Sequence, residues 1–547
     1  MNSRIRYDIM AAKYVIGPVA IYTPVTPSNP CPTPQPKPDS SHATGDVTFQ
    51  PVHPQKNAAK DKDAHTETTS KSVTDLRCVF PEVAVFKRNG NDALFQGRNL
   101  PAFVKDYILR RFSDENGQVG EDALRNYLTT KMPTDKEDIK GRLLKGEKIN
   151  ITTRVVFETE MSSGTVKFEL PDAGVTSDAI VDAALIANAE ETIFDGEQWG
   201  NVTLIYHAPE SRKKGYISMT GFRPFEPYKI NLEAFTLARR QFTLEQWIDA
   251  LIAIMGYEPS RIEGEDVKLE YIARMLPFVE PRLNMIELGP KSTGKSHLYN
   301  NFSKRGWCIS GGKISRAKLF FNKTTRKFGL LKHYDVVAID EISSFSFADP
   351  DEMQSAFKAY LEAGKCTVDN TVFQSECGLT LMGNILLDEE RKPIDINFYK
   401  TLPAMLQESA TLDRFHSFVE GWKLPRIEVG LIHEGWTLDA EYFSSILHAL
   451  REEGCYSQLF DDIVEYEPTA DLRDLKAVKK VATAFTKLLF PHVKSVKQLT
   501  PEALIRFKDT YNKYCLQPAI ARRAIIRTQC HAIDREFTPE MPTFTIK

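Results

Sequence analysis

Residues Gly289-Pro-Lys-Ser-Thr-Gly-Lys-Ser296 constrain this chain more than any other feature. A short apolar strand, Asn284 to Leu288, runs straight into them, and a helix-compatible segment comes next. This is G-x-x-x-x-G-K-[ST] in a strand–loop–helix setting, the pattern of a P-loop. Glycines let backbone N–H groups close around phosphates at a helix N-terminus. The loop residues Gly289, Pro290, Lys291, Ser292, Thr293 and Gly294 form the cradle. Lys295 is placed to reach the β and γ phosphates of ATP, and the Ser296 hydroxyl to bind Mg²⁺.

Downstream lies Tyr334-Asp-Val-Val-Ala-Ile-Asp-Glu341, an apolar strand ending in two carboxylates. Here Asp340 is expected to hold Mg²⁺ through its water shell, and Glu341 to act as general base on the attacking water. A third strand, Leu379 to Gly383, ends at Asn384, whose amide could orient that water; a turn Asn at a strand end is the plainer reading. In Leu412-Asp-Arg-Phe-His416, Arg414 sits between apolar residues, as an arginine finger requires. The alternative is a surface ion pair with Asp413. Arg473 opens a C-terminal helix and could reach phosphates from a lid, or be a solvated helix start.

A length of 547 residues implies three or four domains at roughly 100–200 residues each. Residues 1–76 stand apart: ten prolines fall between Pro18 and Pro54, and Ser, Thr, Lys and Asp fill the stretch from there to about Asp75. Such a segment cannot offset its chain entropy by burial, so a disordered arm is expected. Residues 77–235 mix helical spacing (Phe103, Tyr107, Ile108, Phe112) with strand-like runs at Ile149 to Thr159, Thr165 to Leu170, Trp199 to His207 and Gly215 to Thr220, an α+β or small-barrel pattern. Residues 236–430 open on a capping box, Thr243 with Gln246, and alternate strand and helix as in a parallel α/β sheet. Residues 431–547 read as mostly helical. No apolar run reaches the ~20 residues that span a bilayer. The segment Ile9 to Tyr22 makes a poor signal peptide, because Asp8 and Lys13 interrupt it. Eight cysteines without a CxxC pair suit a reducing, cytoplasmic setting.

Lys and Arg total 70 against 73 Asp and Glu, a net charge of −3, which excludes a globally basic nucleic-acid binder. Locally the balance reverses. Between Lys291 and Tyr334 there are eleven Lys or Arg and no acidic residue. Outside the P-loop, Lys313, Arg316, Lys318, Lys323, Arg326 and Lys327 are the leading candidates for phosphate contact, with Phe320, Phe321 and Phe328 interleaved. The competing reading is a basic subunit face, met by Asp349, Asp351, Glu352 and Glu362.

The order P-loop, acidic strand, Asn at a strand end, Arg mount and Arg in a helical lid resembles AAA+ ATPases. More narrowly, RRQFTLEQWIDAL (Arg239 to Leu251), GYEP (Gly256 to Pro259), FVEPRLNMIELGPKSTGKS (Phe278 to Ser296), SGGKISRAKLFFN (Ser310 to Asn322), LDRFH (Leu412 to His416) and FVEGWKLPR (Phe418 to Arg426) resemble the BrxL family, Lon-like AAA+ proteins of BREX phage-defence systems. The resemblance runs from about Arg77 to Pro491. It implies a fold of class α/β, an AAA+ core with a helical lid; here that core follows the α+β, small-barrel-like N-terminal domain and the proline-rich arm read above, and the arm lies outside the resemblance. It also implies similarity to minichromosome-maintenance helicases, in which the P-loop of one subunit meets the arginine finger of the next. A presensor hairpin directed into a central pore is implied at Cys366 to Cys377, whose tip near Asp369 to Thr371 has no Lys or Arg. The family commonly carries a C-terminal Lon-type protease domain with a Ser nucleophile and Lys base. Only 117 residues follow Gly430 here, no such pair stands out, and proteolysis is not expected.

The leading expectation is a Mg²⁺-dependent ATPase forming a ring, six subunits being expected, that binds or moves along DNA in BREX-type defence. The DNA would be double-stranded and read with weak sequence specificity, and other BREX components are expected partners. A remodeller of protein partners is the alternative. A passive ATP-binding scaffold fits poorly with intact Lys295, Asp340, Glu341 and Arg414.

Overall fold

A computed structural model describes residues 75–547, apart from 89–90, 96–97, 99, 161–163, 176–178, 189–195, 211–213, 226–227, 325 and 369. The expected proline-rich arm lies outside the described residues, save for its last two.

Strand β1 (Ala84–Lys87) is followed by helices α1 (Ala102–Phe112), α2 (Glu121–Lys131) and α3 (Lys136–Leu144). Five strands then close into a barrel: β2 (Ile149–Glu160), β3 (Thr165–Glu169), β4 (Ala179–Val181), β5 (Gly196–His207) and β6 (Tyr216–Pro224), in the order β2-β3-β4-β6-β5. Most pairs are antiparallel, but β4 and β6 run parallel. Alternation fills the barrel: Ile149, Ile151, Val155 and Phe157 of β2 are buried with Val166 and Phe168 of β3. The three-residue β4 is too short to leave a periodic signal, and it is the strand that closes the barrel.

Helix α4 (Leu244–Ile254) begins at the expected cap: Gln246 N–H donates to Thr243 Oγ1 (3.2 Å) and Thr243 N–H to Gln246 Oε1 (3.0 Å). It leads to a five-stranded parallel sheet. The strands are β7 (Met285–Gly289), β8 (Gly306–Ser310), β9 (Val336–Asp340), β10 (Gly378–Asn384) and β11 (Ser417–Glu420), ordered β11-β7-β10-β9-β8. Parallel strands are covered on both faces and read as continuous apolar runs; all five residues of β7 are buried. Helix α5 (Lys295–Asn301) follows β7, and α6 (Pro350–Ala363) follows β9.

The C-terminal part is helical, with α7 (Ala440–Arg451), α8 (Leu472–Leu489) and α9 (Gln517–Ile533) among its helices. It is also stitched to the first strand. Residues 435–438 pair antiparallel with β1, with Ala84 opposite Leu438. The sequence places these segments in different units; the ladder between them joins residues some 350 apart, beyond the reach of local patterning. Among the described residues no helix is long and apolar enough to cross a membrane.

Candidate active site

Two glycines of the loop are fixed by close approach. A Cβ on Gly289 would lie 2.7 Å from the Gly421 backbone. Gly294 has φ +77°, and a Cβ there would meet Ile427 Cδ1 at 2.7 Å and run into the Tyr257 hydroxyl. Ser292 also has positive φ, +66°. The loop is clamped from outside: Ile427 N–H donates to Ser292 O (2.8 Å), and Arg274 Nη1 to Thr293 O (3.0 Å).

Lys295 is the hub of the site. Its Nζ donates to Pro290 O (2.7 Å), Gly289 O (3.2 Å) and Asn384 Oδ1 (3.2 Å). Burial pushes its ammonium pKa down; Glu287, Asp340 and Glu341 pull the other way. Asn384 stands in register with Gly289, because β10 lies between β7 and β9. The loop, Asn384 and the two carboxylates therefore share the carboxyl end of the sheet. Asp340 Oδ1 accepts from Glu341 N–H (2.8 Å). Glu341 is exposed and left-handed (φ 52°, ψ 41°), a conformation that turns the chain sharply out of β9. The Ser296 hydroxyl has no protein partner among the described contacts. Lys291 is exposed.

Beneath the loop lies an ion pair that sequence reading missed. Arg274 and Glu287 are both fully buried, with Nη2 and Oε1 2.6 Å apart. Burial works against the Arg274 charge, but Glu287 and two tyrosines more than restore it, so its pKa is raised. One signal was available: Glu287 is a lone charge inside the apolar run of β7, and such a charge needs a partner. Arg274→Ala leaves Glu287 buried and unpaired and removes the Thr293 clamp. We expect a loss of about 3–5 kcal/mol, read as a fall in the denaturation midpoint, with weaker ATP binding in the fraction that folds. A midpoint unchanged within error would contradict this account of the loop's support.

Arg414 and Arg473 lie elsewhere. Asn284 O accepts from His416 N–H (2.9 Å), so the Arg414 turn sits at the amino end of β7, opposite the loop. Arg414 Nε pairs with Glu362 Oε2 at 3.0 Å, and Arg473 Nη2 reaches the same oxygen at 3.3 Å. The suggested Arg414–Asp413 pair does not form. Asp413 is taken by Arg473 (3.0 Å) and by buried Arg523 (2.5 Å), which also holds Asp474 (2.7 Å). That network ties α8 and α9 to the turn and mounts Arg414 rigidly. His416 Nδ1 accepts from Asn284 N–H (3.0 Å), and burial with nearby cations keeps the ring neutral. Neither arginine is brought to the Lys295 of its own chain.

The basic stretch divides in the same way. Arg316 pairs with Glu352 at 3.0 Å, and Lys327 with Glu158 of the barrel. Lys313, Lys318, Lys323 and Arg326 are exposed. Residues 321–322 and 327–328 form a small antiparallel hairpin, and residues 365–368 and 371–374 form another at the implied presensor position. Phe373 packs on Phe320 (5.5 Å) and Phe328 (6.0 Å), so the two hairpins stand side by side.

An ATPase-type domain of mixed α/β build is what this fold and its loop define. A family described as "Lon-like protease BrxL-like, ATPase domain" matches residues 217–543, more than half of the chain. A second, "BREX system Lon protease-like protein BrxL N-terminal", matches residues 78–206. The chain belongs to the BrxL-like family of BREX defence systems. It is 28% identical over 413 residues to "Lon-like protease BrxL" of Escherichia coli, covering 74% of this chain and 59% of that relative. It is 27% identical over 428 residues to the Bacillus cereus protein of the same name, covering 77% and 63%. The matched region thus spans less than two thirds of either relative.

Proposed function

We propose that this chain is a Mg²⁺-dependent AAA+ ATPase that assembles as a head-to-tail ring, most simply a hexamer, and encloses or moves along DNA in BREX-type defence. One observation carries the ATPase reading: Lys295 Nζ bridges the loop carbonyls and Asn384 at the sheet end that also holds Asp340 and Glu341. Phosphate oxygens would replace those carbonyls as its acceptors. The free Ser296 hydroxyl and the Asp340 carboxylate are hard oxygen donors of the kind Mg²⁺ takes, and the ion would neutralise charge on the phosphates. Glu341, exposed at the same end, would accept the proton of the attacking water. Asn384 would hold that water in line.

Three observations support DNA. Lys313, Lys318 and Arg326 are exposed on the stretch whose Phe320 and Phe328 pack against Phe373 of the hairpin at 365–374. The barrel's closed five-stranded order resembles that of oligonucleotide-binding barrels. The Lys327–Glu158 pair brings the basic hairpin against the barrel. Binding with and without ATP across a salt series tests the reading. The slope of log affinity against log salt should flatten by about 0.9 for each phosphate contact removed. Lys313→Ala/Lys318→Ala/Arg326→Ala should flatten it strongly with assembly intact. Arg316→Ala and Lys327→Ala should change it little, because those cations already face Glu352 and Glu158. An unchanged slope in the triple variant would move the DNA path elsewhere.

The internal pairing of Arg316 and Lys327 favours the second reading, a remodeller of protein partners. That reading predicts no salt-dependent DNA binding at all.

A further inference from the structure

Where the turn between α2 and α3 meets the rim of the barrel, the chain leaves a cavity of about 240 Å³. Its walls all come from residues 98–199, so it is separate from the P-loop and the parallel sheet. Leu100, Met132, Ile151 and Ala173, all buried, line it with apolar surface, and Trp199 of β5 is its aromatic wall. Apolar lining with a few polar groups converging on it is the ordinary form of a small-ligand pocket.

Two cations line the cavity, and each is held in place. Arg98 Nε donates to Met132 O (2.8 Å) and Nη2 to Leu128 O (3.1 Å), which closes the end of α2 and leaves Nη1 without a partner among the described contacts. Lys136 opens α3. Its stem lies across Gly174, where φ is +70° and a Cβ would come within 3.0 Å of Lys136 Cδ, and its Nζ donates to Pro171 O (3.0 Å). Among the described contacts neither cation meets a carboxylate, and burial pushes the Arg98 pKa down with nothing to offset it. The nearby acids are already engaged. Asp172 is held by Arg154 (3.3 Å), and Asp135 accepts from Glu137 N–H (2.9 Å) and Asp138 N–H (3.1 Å) as the cap of α3. Glu137 and Asp138 pair with Lys140 and Arg142 of their own helix. The cavity therefore keeps two uncompensated positive charges. Thr153, only 5% exposed, adds a hydroxyl whose described bond, to Arg154 O, is a long 3.4 Å.

We infer that this cavity is a second nucleotide site, distinct from the P-loop, that takes a free nucleoside 5′-monophosphate: the base against Trp199, the phosphate between Arg98 and Lys136, and a polar edge of the base or sugar on Thr153. Every base has a π-face that an indole can stack on. A phosphate monoester carries about −1.5 to −2 charges at neutral pH, which two cations match. The phosphodiester of a nucleic-acid strand carries less charge than they balance, and a triphosphate more. The volume lies just under the ~300 Å³ at which small-ligand pockets begin, room for a ring system and its anionic group but not for a chain. Both cations are fixed before the ligand arrives, so little side-chain freedom is lost on binding. This goes beyond the ATPase reading, because the ligand is bound here and not hydrolysed.

Isothermal titration of the full chain with AMP, GMP, CMP and TMP tests this. At least one should bind at a single site per chain, and equally well in Lys295→Ala, whose P-loop is disabled. Lys136→Met should weaken that binding about tenfold or more, the cost of a lost charged hydrogen bond. Its melting curve should not move, because Lys136 is exposed and methionine keeps the stem over Gly174. Arg98→Met should weaken binding as much; it also frees the end of α2, so its melting curve is recorded, and Lys136→Met decides if it fails to fold. The parent nucleoside and inorganic phosphate should each bind about tenfold more weakly than the nucleotide, since each lacks half of the contacts. Binding that survives Lys136→Met and vanishes in Lys295→Ala would put the nucleotide in the P-loop and overturn the inference. Inorganic phosphate binding as tightly as the nucleotide would overturn it in favour of a bare anion site. A short single-stranded oligodeoxynucleotide that binds more tightly and suffers the same Lys136→Met loss would replace the free nucleotide with a strand. No heat from any of the monophosphates at millimolar concentration would end the proposal.

Discussion

Replacing Lys295 with alanine is expected to abolish ATP binding, and replacing Glu341 with glutamine to keep binding while turnover falls about 10²–10⁴-fold. The two losses differ because the two groups do different things. Lys295 is the only side chain that touches both the loop carbonyls and Asn384 among the described contacts. It is held in a buried spot that disfavours its charge, so it is poised to gain from an anion. Removing it takes away the attraction and the geometry together. Glu341 makes no contact to the loop; it stands exposed where the chain turns out of β9. The glutamine keeps shape and polarity and loses only basicity, so the loss should appear in kcat and not in the ATP dissociation constant. Equilibrium binding of a fluorescent ATP analogue and a phosphate-release assay separate these. Full turnover in Glu341→Gln would remove it as the base, and retained binding in Lys295→Ala would remove the loop as the phosphate site.

What was legible in the sequence is what is encoded locally. The loop, the acidic strand and Asn384 each occupy a few consecutive residues, and the parallel sheet sets them side by side by a register that apolar strands impose. The Thr243–Gln246 cap is legible for the same reason: its two partners are three residues apart. Pairings across long sequence separations were not legible. Arg316 and Lys327 count as free cations in any tally of charge, yet their partners, Glu352 and Glu158, come from another helix and another unit. Arg274 and Glu287 are separated by a short helix and a turn, and only the odd placement of a charge in β7 hints at them. For Arg473 the sequence leaves open a phosphate contact from a lid and a solvated helix start, and sequence order says nothing about which end of the sheet a helix start meets; its pair with Asp413, itself held with Asp474 by Arg523, keeps it at the end away from the Lys295 of its own chain.

That far-end placement decides the last experiment, since Arg414, which does not reach its own Lys295, can meet a nucleotide only if a neighbouring subunit brings one. Arg414→Ala alone should assemble and lose about a thousandfold or more in turnover, the lower edge of what a removed arginine finger costs. Lys295→Ala alone should be inactive. The Arg414→Ala chain keeps an intact loop, and the Lys295→Ala chain keeps an intact arginine. Mixed at equal amounts in a head-to-tail ring, about one quarter of interfaces would pair the two intact halves. Turnover should therefore recover toward a quarter of the wild-type value, rise and fall with mixing ratio, and vanish when the subunits are kept apart by dilution. A control fixes the interpretation. Glu362→Gln should not reproduce the loss, because Glu362 only parks the two arginines within the free chain. Mixtures that stay inactive while both variants assemble would return Arg414 to a structural role, in which its pair with Glu362 braces α6 against the turn before β11.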